Sequence, residues 1–276
     1  MNRDPTSDPS AGHAEVDGGR LYYEVAGSGR PVVLIHPGLW DSRTWDDQFE
    51  AFADQHRVVR YDMRGYGRSS RPEPGRPYSH VRDMAAVMDA AGVDRAALVG
   101  CSMGGEIAID FALTLPARTW ALVLVSPGLG GFEGTPEDEA WWEARLRPIE
   151  AAVEGGDLDQ AQDLRLAIWA PLGTADPAGR RIRDIAFENI HEITMDESGA
   201  DELQPAAIER LGEIGVPTLV LPADNDPPSM RSICGLLAGR IPGARLVEIP
   251  DVDHVINVRK PAEFNRVVLA FLSEVG

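Results

Sequence analysis

Six short apolar runs, separated by turn residues and helix-like stretches, constrain this chain more than any other feature. They are Val32–Ile35, Arg57–Tyr61, Ala96–Val99, Ala121–Val125, Thr218–Leu221 and Arg245–Ile249. Several of them are apolar throughout rather than alternating, as expected of strands buried on both faces. Helical periodicity follows from about Ser79 to Ala91, from Gly105 to Leu115 and from about Ala262 to Leu272. Strands that alternate with helices build a mostly parallel sheet covered by helices on both sides, the α/β class. In such sheets ligands bind beyond the carboxyl ends of the strands, so the chemistry is expected in the loops after these runs.

Two regions depart from the alternation. Residues 1–13 are polar and read as a disordered tail, after which Ala14–Val25 reads as a hairpin about Asp17-Gly18-Gly19. Residues 127–212 look helical and hold 19 acidic against 7 basic residues. Lying between two sheet strands, they are expected to fold over the strand ends as a helical cap. The core is then 14–126 with 213–276. The acidic surplus of the cap reads as a solvated outer face.

The whole chain of 276 residues carries a formal charge of −18. That balance disfavours nucleic acid and anionic membranes as partners, because both are bound through basic surface. Cys101 and Cys234 are too few for a disulfide framework. No apolar run approaches the roughly 18 residues that span a bilayer, and the amino terminus has no apolar core of a secretory signal. A cytoplasmic protein acting on a small molecule is expected, without cofactor or metal. The oligomeric state stays open, a homodimer included.

The strongest local motif is Gly100-Cys101-Ser102-Met103-Gly104, placed between the Ala96–Val99 run and a helical stretch. A strand-to-helix turn this tight strains its central residue, and flanking glycines remove the Cβ atoms that would collide. Such a turn lifts the Ser102 hydroxyl clear of the sheet at a helix amino end, where developing negative charge is favoured.

A serine hydroxyl needs a general base held by a third group. Two histidines follow Ser102. His191 falls within the helical insert, whereas His254 follows the last run and is the better base. The orienting acid should end the preceding run, where Pro222-Ala223-Asp224-Asn225-Asp226 offers two carboxylates. Oxyanion donors should be backbone amides. Met103, next after the nucleophile, supplies one. The loop His36-Pro37-Gly38-Leu39 supplies the other from Gly38 or Leu39, since Pro37 has no N–H.

From about Ala14 to the end, these features together resemble the α/β-hydrolase fold family. His36-Pro37-Gly38 is similar to its His-Gly oxyanion motif. Asp62-Met63-Arg64-Gly65-Tyr66-Gly67-Arg68-Ser69 is similar to its D-x-R-G-x-G-x-S turn, and Gly100–Gly105 to its nucleophile elbow. Val216–Asp226 resembles the stretch V-P-T-L-V-x-x-G-x-x-D, and that register implies Asp226 as the acid and Gly38 as the first oxyanion donor. Pro37, Ala223 and Asp253 depart from the commonest pattern, the last standing where the family usually has Gly before the histidine. A serine at 102 sets aside the branches with an aspartate nucleophile. The resemblance is greatest to enol-lactonases and small-ester hydrolases, implying a Ser102–His254–Asp226 triad and an acyl-enzyme. Members of the same fold also cleave C–C bonds or bind ligands without turnover, and these remain the alternatives.

Overall fold

The computed structural model describes residues 9–276. Its elements run β1 (Ser10–Val16), β2 (Gly19–Ala26), β3 (Pro31–Ile35), α1 (Asp46–Ala53), β4 (Arg57–Tyr61), α2 (His80–Ala90), β5 (Ala96–Cys101), α3 (Met103–Thr114) and β6 (Thr119–Val125). Then come α4 (Pro136–Glu154), α5 (Leu158–Trp169), α6 (Pro177–Glu188), α7 (Ala207–Arg210), β7 (Thr218–Leu221), α8 (Pro228–Arg240), β8 (Arg245–Leu246), α9 (Ile256–Arg259) and α10 (Pro261–Val275). The strands form one sheet in the order β1-β2-β4-β3-β5-β6-β7-β8. The β1–β2 and β2–β4 pairs are antiparallel and the rest are parallel.

Successive strand residues feed opposite faces, and both faces are covered. Val33, Ile35, Leu98, Leu122 and Leu124 pack with Met84 and Val87 of α2, Phe111 of α3 and Leu237 of α8. Val32, Leu34, Val99, Val123 and Leu219 pack instead with Phe49 and Phe52 of α1 and with Phe264 and Phe271 of α10. This double burial is why the strands read as unbroken apolar runs.

Three boundaries differ from the sequence reading. The tail was expected through residue 13, yet β1 begins at Ser10, while residues 1–8 lie outside the described residues. Ser10-Ala11-Gly12-His13 carries no large apolar side chain because β1 is an edge strand, held by backbone pairing to Val25–Tyr22 rather than by side-chain burial. The run Arg245–Ile249 yields strand only at Arg245–Leu246, since it too is an edge and has just the short β7 to pair with. The region 127–212 contains α4–α7, and within it Ala207 and Leu211 pack in the core cluster with Phe111 of α3. The chain therefore rejoins the core before residue 213.

Glu106 and Asp110, one turn apart on α3, are both partly buried. They border a cavity of about 730 Å³ closed by residues of the 197–207 segment. The Asp110 carboxyl is pushed up to about 7, chiefly by burial, with the carboxylates of Glu106 and Asp201 adding and the Arg210 guanidinium opposing. Between about pH 4 and 7 this group is protonated in the folded chain and ionised in the unfolded one, so stability falls as pH rises through that window. Asp110→Asn is expected to stabilise the protein at pH 8 by about 2 to 4 kcal/mol and to leave it unchanged near pH 4. Thermal melts at both pH values check this; a gain equal at the two would contradict it.

Candidate active site

Strand β5 ends at Cys101, and the next residue turns the chain sharply into α3. Ser102 sits there at φ 53° and ψ −120°, a left-handed backbone that a non-glycine residue adopts only when its surroundings enforce it. A Cβ on Gly100 would collide with the carbonyl of Gly104, and one on Gly104 would collide with the carbonyls of Ile35 and His36. Both glycines are thus required for α3 to start against the ends of β5 and β3. Backbone bonds lock the turn, with Ser102 N donating to Val125 O at 3.0 Å and Gly128 N donating to Ser102 O at 2.9 Å.

His254 and Asp226, 28 residues apart, meet at the ends of the sheet's last strands. His254 Nδ1 donates to Asp226 Oδ1 at 2.8 Å, and each side chain is only 1% exposed. Asp224 has a different task. Its carboxylate accepts from the amides of Asp251 at 2.7 Å and Val252 at 2.8 Å, bracing the loop that carries His254. Of the two carboxylates left open by position alone, Asp226 holds the imidazole. Among the described residues no hydrogen bond joins the Ser102 hydroxyl to His254, although the two loops touch: the Cys101 thiol donates to the His254 carbonyl at 3.5 Å. Catalytic hydrogen bonds are often long before substrate binds.

The amides expected to face an oxyanion come from two loops. Met103 opens α3, so its N–H has no partner within the helix. Gly38 lies opposite: a Cβ built on it would stand 3.7 Å from the Tyr66 hydroxyl and 4.0 Å from the Met103 methyl. The loop is fixed by His36, which is fully buried. The Met63 amide donates to His36 Nε2 at 2.8 Å, so Nδ1 carries the ring proton and donates to Pro37 O at 2.8 Å. Burial lowers the His36 pKa and keeps the ring neutral. That tie between the β3 and β4 loops was not legible in the sequence. His191, the histidine set aside there, bonds the Gly65 carbonyl at 2.9 Å, a structural contact.

Aromatic side chains of the insert cover the histidine. The Trp169 ring, at the end of α5, lies 4.4 Å from the His254 ring centroid to centroid. Trp142 of α4 packs on Trp169 at 5.5 Å and donates its indole N–H to Ser229 Oγ of α8 at 3.0 Å. Beside this contact, between α4 and α8, is a cavity of about 650 Å³ lined by Phe132, Trp142, Leu146, Met230 and Ile233 among others. Among the described residues, no group of three or more His, Cys, Asp or Glu side chains is arranged to hold a metal ion, and no helix is long and apolar enough to cross a membrane.

Residues 31–261 match the sequence model of the α/β hydrolase fold family. The chain belongs to the α/β hydrolase family. RutD of Azorhizobium caulinodans, named for carbamate hydrolysis, is 32% identical over 259 residues, covering 92% of this chain and 96% of that protein. Among solved structures, Est816, described as an N-acyl homoserine lactone degrading enzyme, superposes with a TM-score of 0.73 at 30% identity, covering 94% of this chain and all of that one. The enol-lactonase of Burkholderia xenovorans LB400 superposes with a TM-score of 0.70 at 26% identity over 95% of this chain and all of that one. This α/β hydrolase is accordingly an enzyme of the hydrolase type, with the sheet order and elbow described above.

Cys101 neighbours the candidate nucleophile but is buried completely. Burial, reinforced by the nearby Asp226 charge, raises its thiol well above the usual range. Only a thiolate is nucleophilic. Iodoacetamide is therefore expected to leave activity nearly intact over an hour, and Cys101→Ala to retain most of it. Rapid inactivation that Cys101→Ala abolishes would contradict this.

Proposed function

We propose that this α/β hydrolase cleaves small, largely apolar esters or lactones through a Ser102–His254–Asp226 triad and an acyl-enzyme intermediate. The observation that carries the reading is the buried His254–Asp226 hydrogen bond at 2.8 Å, formed on loops in contact with a strained serine elbow. His254 Nε2 takes the Ser102 proton as Oγ attacks the substrate carbonyl, and Asp226 holds the imidazole and stabilises its charged form. The Gly38 and Met103 amides stabilise the tetrahedral oxyanion. His254 then returns the proton to the leaving alkoxide, and a water attacks the acyl-enzyme by the reverse steps.

The substrate class follows from the surroundings. Residues 127–212 act as a cap whose Trp142 and Trp169 give the histidine side of the site an aromatic wall, favouring apolar groups. The likeness to lactone-degrading structures supports the same choice, and RutD adds carbamates as a related carbonyl class for the same nucleophile. A panel of p-nitrophenyl esters graded by acyl length, N-acyl homoserine lactones and alkyl carbamates tests the reading. Hydrolysis of short esters or lactones, lost in Ser102→Ala, is expected; turnover confined to C–C bonds of vinylogous diketones would contradict it.

A further inference from the structure

Asp253, the residue immediately before His254, is held in a buried polar network. Its side chain is fully buried and that of Arg259, at the end of α9, is 5% exposed. Arg259 Nε lies 3.0 Å from both Asp253 oxygens, and Nη2 lies 2.7 Å from Oδ2. The pair reaches beyond its own loop. Arg259 Nη2 also donates to the Gly173 carbonyl at 2.8 Å, Nη1 approaches Asp176 Oδ1 at 3.4 Å, and the Leu172 amide faces Asp253 Oδ2 at 3.4 Å. Leu172, Gly173 and Asp176 belong to the connection between α5 and α6, which starts immediately after Trp169.

We propose that Asp253 is a positioning residue that forms, with Arg259, a buried latch holding the 170–176 connection of the insert onto the His254 loop, and so keeps Trp169 packed against the imidazole. Apolar contacts complete the seam, since Ala170, Leu166, Ile182 and Ile185 of the insert pack with Val255 and Val258 from beside His254. A buried ion pair adds little net stability over apolar packing, but it fixes register because each charge tolerates few alternative geometries. Here the guanidinium fork satisfies a carboxylate and a carbonyl together, which a point-charge ammonium does less well. The insert is thus registered on the catalytic loop within a few residues of the histidine, and the aromatic wall is set at the same point.

The latch rests on the assignment of His254 as general base, so its test has one readout that does not depend on activity. Amide hydrogen exchange is measured on the intact protein beside single-turnover acylation of Ser102 by p-nitrophenyl butyrate, in parent, Asp253→Asn, Arg259→Lys and Trp169→Ala. Asp253→Asn and Arg259→Lys are each expected to speed exchange across residues 170–176 by about tenfold or more, with β5 and β6 unchanged. Acylation is expected to slow about tenfold with KM held within about threefold. In the Trp169→Ala background, Asp253→Asn should cost less than about twofold more, because both changes act on one contact. Arg259→Lys preserves the buried charge and carries the test should Asp253→Asn fold poorly. Unchanged exchange at 170–176, or acylation losses that multiply, would overturn the latch. Failure of Ser102 to acylate in the parent would overturn the function reading instead, while exchange still decides the latch.

Discussion

Ser102→Ala is expected to lower kcat by about 10⁴ to 10⁶ and to abolish labelling by a fluorophosphonate, with the fold retained. The size follows from the unit in which the hydroxyl acts. Removing the nucleophile leaves His254 without a proton to take, and the oxyanion amides then act only on attack by water, which sustains a small residue of turnover. Retention of the fold is expected because alanine keeps the Cβ already accommodated at φ 53°, and because the turn is held by the Ser102 backbone bonds to Val125 and Gly128. A circular dichroism melt separates this outcome from misfolding. Labelling at a residue other than Ser102 would contradict the assignment.

The second large effect separates two carboxylates only two residues apart. Asp226→Asn is expected to cost about 10⁴ in kcat, because an amide can donate to Nδ1 and so favour the tautomer that cannot take the serine proton. Asp224→Asn is expected to stay within about tenfold of the parent, roughly 1.4 kcal/mol in barrier height. Its carboxylate braces the amides of Asp251 and Val252, where Asp251 sits at φ 52°, so its loss loosens the His254 loop without altering the imidazole's partner. Steady-state kinetics with one ester on both variants check the pair. The reverse ranking would move the acid to Asp224.

The parts of the site that were legible in the sequence are the local ones. Gly100-Cys101-Ser102-Met103-Gly104 carries its own strand, turn and helix start, so the elbow follows from residues within a short window. The sheet was legible for a similar reason, since double burial leaves unbroken apolar runs such as Val32–Ile35 and Ala121–Val125. Position does not separate Asp224 from Asp226, which both follow β7 within five residues; the family register points to Asp226, whose carboxylate lies 2.8 Å from His254 Nδ1.

What stayed hidden depends on contacts between distant segments or on backbone pairing alone. The four residues that open β1, Ser10-Ala11-Gly12-His13, bury no large side chain and are held by a ladder to β2, so no apolar pattern marks them. Trp169 lies 85 positions before the histidine it covers, and nothing near it in the chain announces the contact. Asp253 and Arg259 look like ordinary surface charges six positions apart, yet both are buried because a loop of the insert closes over them. His36 reads as the first residue of an oxyanion-type loop, and only the Met63 amide reveals that its ring fastens two loops.

Rapid-quench mass spectrometry of the protein mixed with p-nitrophenyl butyrate tests the acyl-enzyme account most directly. A burst of p-nitrophenol stoichiometric with protein is expected, together with a butyryl adduct that peptide mapping places on Ser102 and that is absent in Ser102→Ala. Steady turnover without an adduct, persisting in Ser102→Ala, would contradict it.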